Sequence, residues 1–357
     1  MGRSSLRTIV VEIGTLALMA SMGSAAASAS EAHSFKGKTI TMITGDAGGG
    51  GTDLTGRVVA TYLAKYLPGQ PNVMVRNMPG AGGMTSMNYV TSQTSRDGLT
   101  VVMGSTSQAD PKNYRKANAQ YDPSKFIYIG GVVRGGYALV VGVKAADRLF
   151  NKSLPPVIMG SATGTPRNAM QMTMWGIEYL GWNAKWVTGY PGTNELMLAL
   201  DRGEIDMTTT GNIGEIGERV KGGQFKIVSQ TGNSIGEKVL PRPDFGNAPV
   251  FAALMKGKLN QTIEEQAFQY WLAINAVDKY VSLAPGTPSE IVEPYREAFV
   301  KLAADPNFIA QGKSFSDDFV PVSGADIELR VKILANTPPD AIDYIRVMLR
   351  KQGLNVE

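Results

Sequence analysis

The chain has 357 residues, 43% of them hydrophobic and 18% charged, with a formal net charge of +4, no cysteine and a single histidine, His33. That is the composition of a folded globular protein of a length that usually divides into two domains. It disfavours Cys–His and Ser–His catalysis and imidazole or thiolate metal centres, and the scattered positive charges form no nucleic-acid footprint.

Arg3 and Arg7 precede an apolar run from Ile13 to Met22 and the small residues Gly23 to Ala29. This is the layout of a secretory signal, with cleavage expected after Ala27 or Ala29, so residues 1–29 are expected to be a leader. The apolar run is too short to anchor the chain in a bilayer. No second long apolar run follows, and the exported protein is expected in the periplasm, without cofactor or metal. Losing Arg3, Arg7 and Glu12, together +1, leaves the mature chain at +3.

Thr39 to Thr44 reads as a β-branched strand, broken by Gly48-Gly49-Gly50-Gly51. Thr52 or Asp53 then caps a helix whose Leu54, Val58, Val59 and Leu63 recur at helical spacing. Strand, glycine loop and helix start would offer backbone N–H groups to an anion at the positive end of a helix dipole. Neither the dinucleotide fingerprint nor the phosphate loop fits: counting from Gly48 or Gly49, the sixth position is Asp53 or Leu54, and no Lys follows these glycines. A flexible loop that merely permits close packing is the plainer alternative.

Strands are expected at Val73–Asn77, Leu99–Gly104, Ile127–Val133, Tyr137–Val143, Val157–Gly160, Lys185–Gly189 and Glu204–Gly211. Helices are expected at Met84–Thr91, Asn168–Tyr179 and Asn194–Arg202, and near the C-terminus at Pro288–Ala304 and Ala325–Ala335. Several strands end in small polar loops: Ser105-Thr106-Ser107, then Ala162-Thr163-Gly164-Thr165, then Tyr190-Pro191-Gly192-Thr193. Ligands of open α/β sheets bind at such carboxyl ends, and two facing sheets would build a cleft. Tyr190, Gly192 and Thr193 are placed for ligand contact, whereas Asp206 could accept from a ligand or cap a loop. Arg167 could clamp a carboxylate or lie on the surface. Trp175, Trp182, Trp186 and Trp271 are read as core rather than as an aromatic pocket.

The ordered elements Gly49-Gly50-Gly51-Thr52-Asp53, Arg57, Val75-Arg76-Asn77-Met78-Pro79-Gly80-Ala81-Gly82-Gly83, Asp97-Gly98-Leu99-Thr100, Gly160 to Pro166, Gly189 to Thr193 and Ala284-Pro285-Gly286-Thr287-Pro288 span nearly the whole mature chain. Together they resemble the solute receptors of tripartite tricarboxylate transporters, the Bug proteins. The resemblance implies a type II periplasmic-binding-protein fold, two α/β domains joined by crossing strands with a ligand cleft between. It implies a carboxylate ligand held by backbone N–H groups of Gly48 to Asp53 and Ala162 to Thr165, and large and small membrane subunits as partners. The chain departs from the family pattern at Gly48, which stands where the family has proline, and at Asp46, which would repel an anion.

Domain 1 is expected over 35–136 plus 284–357 and domain 2 over 137–283, with a hinge at the crossings. The function expected is a monomeric, non-enzymatic receptor for a small carboxylate. Presentation of the ligand to a sensor kinase and an exported α/β hydrolase are the alternatives.

Overall fold

Thirteen strands divide between two main sheets and a hairpin in the computed structural model, which describes residues 33–161, 165–190, 193–235, 238–314 and 319–356. The expected leader lies outside them. Among the described residues, no helix is long and apolar enough to cross a membrane.

The first sheet contains β1 (Thr39–Thr44), β2 (Asn72–Asn77), β3 (Thr100–Ser105) and β4 (Ile127–Val133). The second contains β5 (Ala138–Gly142), β6 (Val157–Ser161), β7 (Ala184–Thr188), β8 (Met207–Thr210) and β9 (Phe225–Gln230). A short antiparallel hairpin, β10 (Asn233–Ile235) and β11 (Lys238–Leu240), follows. The chain then returns to the first sheet through β12 (Lys279–Leu283) and β13 (Val320–Ser323). The strand orders are β13-β4-β12-β3-β1-β2 and β7-β6-β8-β5-β9.

β1 runs parallel to β2 and β3, and β6 runs parallel to β7 and β8. In each sheet the parallel strands therefore point their carboxyl ends the same way, where loops open into helices. β12 pairs antiparallel with both β3 and β4. Lys279–Leu283 thus belongs to the first sheet, although the expected boundary at 283/284 assigns it to the second domain. Its pairing is settled by the backbone ladder, which no local pattern announces. The strand expected over Glu204–Gly211 is also shorter, because the N–H groups of Glu204 and Ile205 turn back onto the Ala199 carbonyl and end the preceding helix.

Helix 51–66 buries Val58, Val59, Ala60 and Leu63, and helix 289–303 buries Ile291, Tyr295, Phe299 and Leu302, on one face of the first sheet. A larger cluster joins both sheets through helices 262–276 and 339–351 and holds Phe251, Phe268, Trp175 and Trp271. Trp175 and Trp271 are fully buried and Trp182 is nearly so, as a core reading requires. Trp186 is half-buried, its indole N–H donating to Gln352.

Candidate functional site

The glycine loop is pressed into place from its first residue. A Cβ on Gly45 would lie 2.6 Å from both Gln108 Nε2 and Gly83 Cα, so the loops after β1, β2 and β3 meet there. The helix begins at Gly51 with Gly50 as its N-cap, and Gly50 brings no side chain to cap it. Thr52 and Asp53, the expected caps, sit inside the first turn at 1% exposure.

The cap is Asp46 instead. Its Oδ2 accepts from the Thr52 N–H at 3.2 Å. A carboxylate in that position is favoured by the helix dipole and satisfies an otherwise orphaned donor. The Gly49 N–H donates to Asp53 Oδ2 at 2.8 Å, and the Gly50 N–H to the Ala47 carbonyl at 3.1 Å. Asn77 Nδ2 ties the loop down by donating to the Asp46 carbonyl and to Asp53 Oδ1. Burial alone would raise the Asp53 carboxyl; hydrogen bonds from Arg57, Gly49 and Asn77 outweigh it and hold the group below its ordinary value. Three N–H groups of the expected cradle are therefore already engaged by the chain itself.

The turn after β3 is similarly committed. The Ser105 N–H and hydroxyl both donate to Gln108 Oε1, at 2.7 and 2.8 Å. Thr106 donates its N–H to the Asp278 carbonyl at 3.1 Å and its hydroxyl to the Val277 carbonyl. Ser107 is exposed.

On the second sheet, Ala162, Thr163, Gly164 and Gly192 lie outside the described residues. Thr165 and Tyr190 are half-buried, the Tyr190 N–H donates to the Ser161 carbonyl at 3.3 Å, and Thr193 opens helix 193–202. Asp206 requires a correction. It precedes β8, at the opposite end from Ser161, and its Oδ2 accepts from the Ile158 N–H at 2.9 Å and pairs with Arg148 at 2.5 Å. It ties strands together rather than facing a ligand. Arg167 is exposed.

Where the two sheets are joined, a cavity of about 220 Å³ opens. Ser105–Ser107 form one side, Val133–Gly135 and Tyr137 the crossing segment, Asn168 the second sheet, and Asn275 with Val277–Lys279 the returning segment. Larger cavities of about 960, 710 and 450 Å³ are lined chiefly by residues 213–256, with Gln269 and Leu272 in the first and Val143, Ala146 and Phe150 in the second. The smaller cavity is the better candidate because it gathers strand-end hydroxyls, amides and charges from the segments that join the sheets.

Its electrostatics centre on Asp278. Arg134 Nε and Nη2 donate to the two carboxylate oxygens at 2.6 and 2.9 Å, and Lys279 Nζ lies 3.3 Å away. Burial raises this carboxyl, but the Arg134 hydrogen bond and the Lys279 charge prevail and hold it below its ordinary value. Asn168 adopts a left-handed φ of 51°, and its carbonyl accepts from the buried Trp271 indole at 2.9 Å. Behind the crossing, Arg242, 1% exposed, donates to the Gly136 and Gly211 carbonyls at 2.9 and 2.6 Å. None of Arg134, Asp278, Lys279 or Arg242 is singled out by sequence reasoning. The available signal was charge at one end of each of two largely apolar strands, Arg134 after Val133 and Asp278-Lys279 before Tyr280.

Two α/β sheets joined by crossing segments, with a polar cavity where they meet, are the architecture of periplasmic solute-binding proteins. The family model described as tripartite tricarboxylate transporter family receptor matches residues 55–242, more than half of the chain. The chain belongs to that family. It is 34% identical over 140 residues to a UPF0065 protein of Cupriavidus necator, and 36% identical over 100 residues to another from Bordetella pertussis. These matches cover 38% and 28% of this chain, and only 40% and 28% of the relatives' own lengths. Among solved structures, a ligand-free TctC solute-binding protein from Polaromonas superposes with a TM-score of 0.62 at 18% identity, over 88% of this chain and 98% of the other. An R. palustris protein solved with adipate gives 0.53 at 18% identity, over 88% and 97%. At such identities the likeness concerns the fold.

Proposed function

We propose that the chain is a receptor that captures a small carboxylate-bearing solute between its two sheets and hands it to the large and small membrane subunits of a tripartite transporter. The observation that carries this reading is the cavity at the crossing, where Arg134 and Lys279 outnumber Asp278 among hydroxyls and amides. Family membership and the adipate in one fold neighbour point the same way. The working protein is a periplasmic monomer, freed of its leader, that binds without turning anything over.

The two sheets act as two lobes, 35–136 with the returning segment from Asp278 onward, and 137–277. They pivot where Arg134 and Asp278 clasp the crossing segments. A ligand closes such lobes only through contacts it makes better in the closed state. A melting-temperature screen against mono-, di-, tri- and aromatic carboxylates tests the reading. A true ligand at about 100 times its Kd stabilises by about 2.7 kcal/mol. If neutral or cationic solutes raise the melting temperature and no carboxylate does, the reading fails.

A further inference from the structure

We propose that Ser107 and Asn168, one from each lobe, are specificity-determining residues that read a hydroxyl on the solute, so that the receptor prefers short-chain hydroxy acids to the corresponding deoxy and amino acids. This deepens the receptor reading and rests on it.

Most polar groups around the cavity are engaged by the protein itself. The hydroxyls of Ser105 and Thr106 donate to Gln108 Oε1 and to the Val277 carbonyl, and Asn275 Nδ2 donates to the Trp271 carbonyl at 2.6 Å. Arg134 and Lys279 both pair with Asp278. Ser107 and Asn168 differ. Among the described residues, neither side chain has a hydrogen-bond partner, yet both backbones are pinned. Asn113 Nδ2 donates to the Ser107 carbonyl at 2.8 Å, and the fully buried Trp271 donates to the Asn168 carbonyl at 2.9 Å. Asn168 also holds a left-handed φ of 51°, a conformation that persists outside glycine where the surroundings enforce it, and such residues gather at ligand sites. A fixed backbone carrying an unengaged polar side chain is a preorganised contact.

Ser107 follows β3 of the first sheet and Asn168 follows β6 of the second, so a solute group that bonds to both bridges the lobes. Both residues are exposed, and approach of the lobes withdraws them from water. A solute without matching donors and acceptors then leaves them unpaired, which discriminates against it. A serine hydroxyl and an asparagine amide each offer donor and acceptor without charge, and an alcohol complements both. An ammonium does not: Arg134, Asp278 and Lys279 together carry one net positive charge, and Asp278, the only carboxylate among the described lining residues, is already held by both cations. The cavity of about 220 Å³ is smaller than the roughly 300–1,000 Å³ of sites for drug-sized ligands, which suits acids of a few carbons.

Calorimetry on the mature protein tests this by comparing propanoate, butanoate and pentanoate with their hydroxy and amino derivatives. The tightest hydroxy acid should bind about tenfold or more above its deoxy and amino counterparts. Asn168→Gly keeps the left-handed backbone and the carbonyl that Trp271 holds but removes the amide, and Ser107→Ala removes only the hydroxyl. Each should lower the preference for that hydroxy acid by about threefold or more and leave the deoxy acid within about twofold. A merely structural role would weaken both acids alike. Either variant decides the matter if the other folds poorly. Equal or tighter binding of the deoxy or amino acids, binding confined to larger carboxylates, an unchanged preference, or variants that weaken both acids alike overturn the hydroxyl assignment while leaving a carboxylate receptor standing. Failure of every carboxylate to bind overturns both.

Discussion

The glycine loop at 45–53 and the crossing at 133–137 and 277–279 differ in how their polar groups are committed. The loop has the local composition of an anion site, yet Asp46, Asp53 and Asn77 supply its acceptors and anchors from within. The crossing has no motif at all, yet it gathers two cations and one carboxylate around a cavity, and although both cations pair with that carboxylate the group keeps one net positive charge. A sequence motif reports where donors are available. Only the three-dimensional partners report whether those donors are still unengaged.

The largest effect is expected from the support beneath the crossing. Trp271 is fully buried and its indole holds the Asn168 carbonyl, so Trp271→Ala should destabilise the fold by about 3–5 kcal/mol in urea unfolding. A loss below about 1 kcal/mol would mean that the aromatic cluster does not anchor this wall.

Arg134→Ala comes next. It leaves a carboxylate whose side chain is only 16% exposed with Lys279 as its remaining cation, although Arg134 itself is 43% exposed. Breaking a buried pair costs about 3–5 kcal/mol and an exposed one at most about 1, so an intermediate loss of about 2 kcal/mol is expected. The pair also carries a pH signature. Asp278 is held below its ordinary value in the fold, so its contribution is complete above the unfolded-state carboxylate pKa and disappears as pH falls through the lower folded value. Acid titration of stability should therefore be less steep in Asp278→Asn than in the wild type, and identical slopes would contradict the assignment.

At the glycine loop the effects are smaller. Asp46→Ala removes a helix cap and should cost about 1 kcal/mol by thermal or urea unfolding. Arg57→Ala removes a pair whose cation is 53% exposed and whose carboxylate, 1% exposed, keeps its hydrogen bonds from Gly49 and Asn77, so it should cost about 1 kcal/mol. A larger loss for Arg57→Ala than for Arg134→Ala would reverse the comparison.

Much of the fold was legible because local patterns determine it. Ile127–Val133 forms over its expected span, and the strands at Thr39 and Val157 and the helix at Asn194 lie within a residue of theirs. Parallel strands with small carboxyl-end loops announced both sheets. The committed state of the glycine loop was half legible: Asp46 was visible as an intruder, but its role as a cap depends on the loop folding back six residues onto Thr52. The crossing was illegible. Arg134 and Asp278 are 144 residues apart, and no periodicity or composition links them. Asp206 misled for a related reason: a carboxylate near a strand looks the same in sequence at either end, and parallel pairing with β6 puts it at the end away from the strand-end loops.

A crystal structure with the carboxylate that binds most tightly tests the central claim directly. The ligand carboxylate should lie within about 2.7–3.2 Å of Lys279 Nζ, with Asp46 still accepting from the Thr52 N–H. A carboxylate seated instead on the N–H groups of Gly48 to Thr52, with Asp46 displaced, would contradict it.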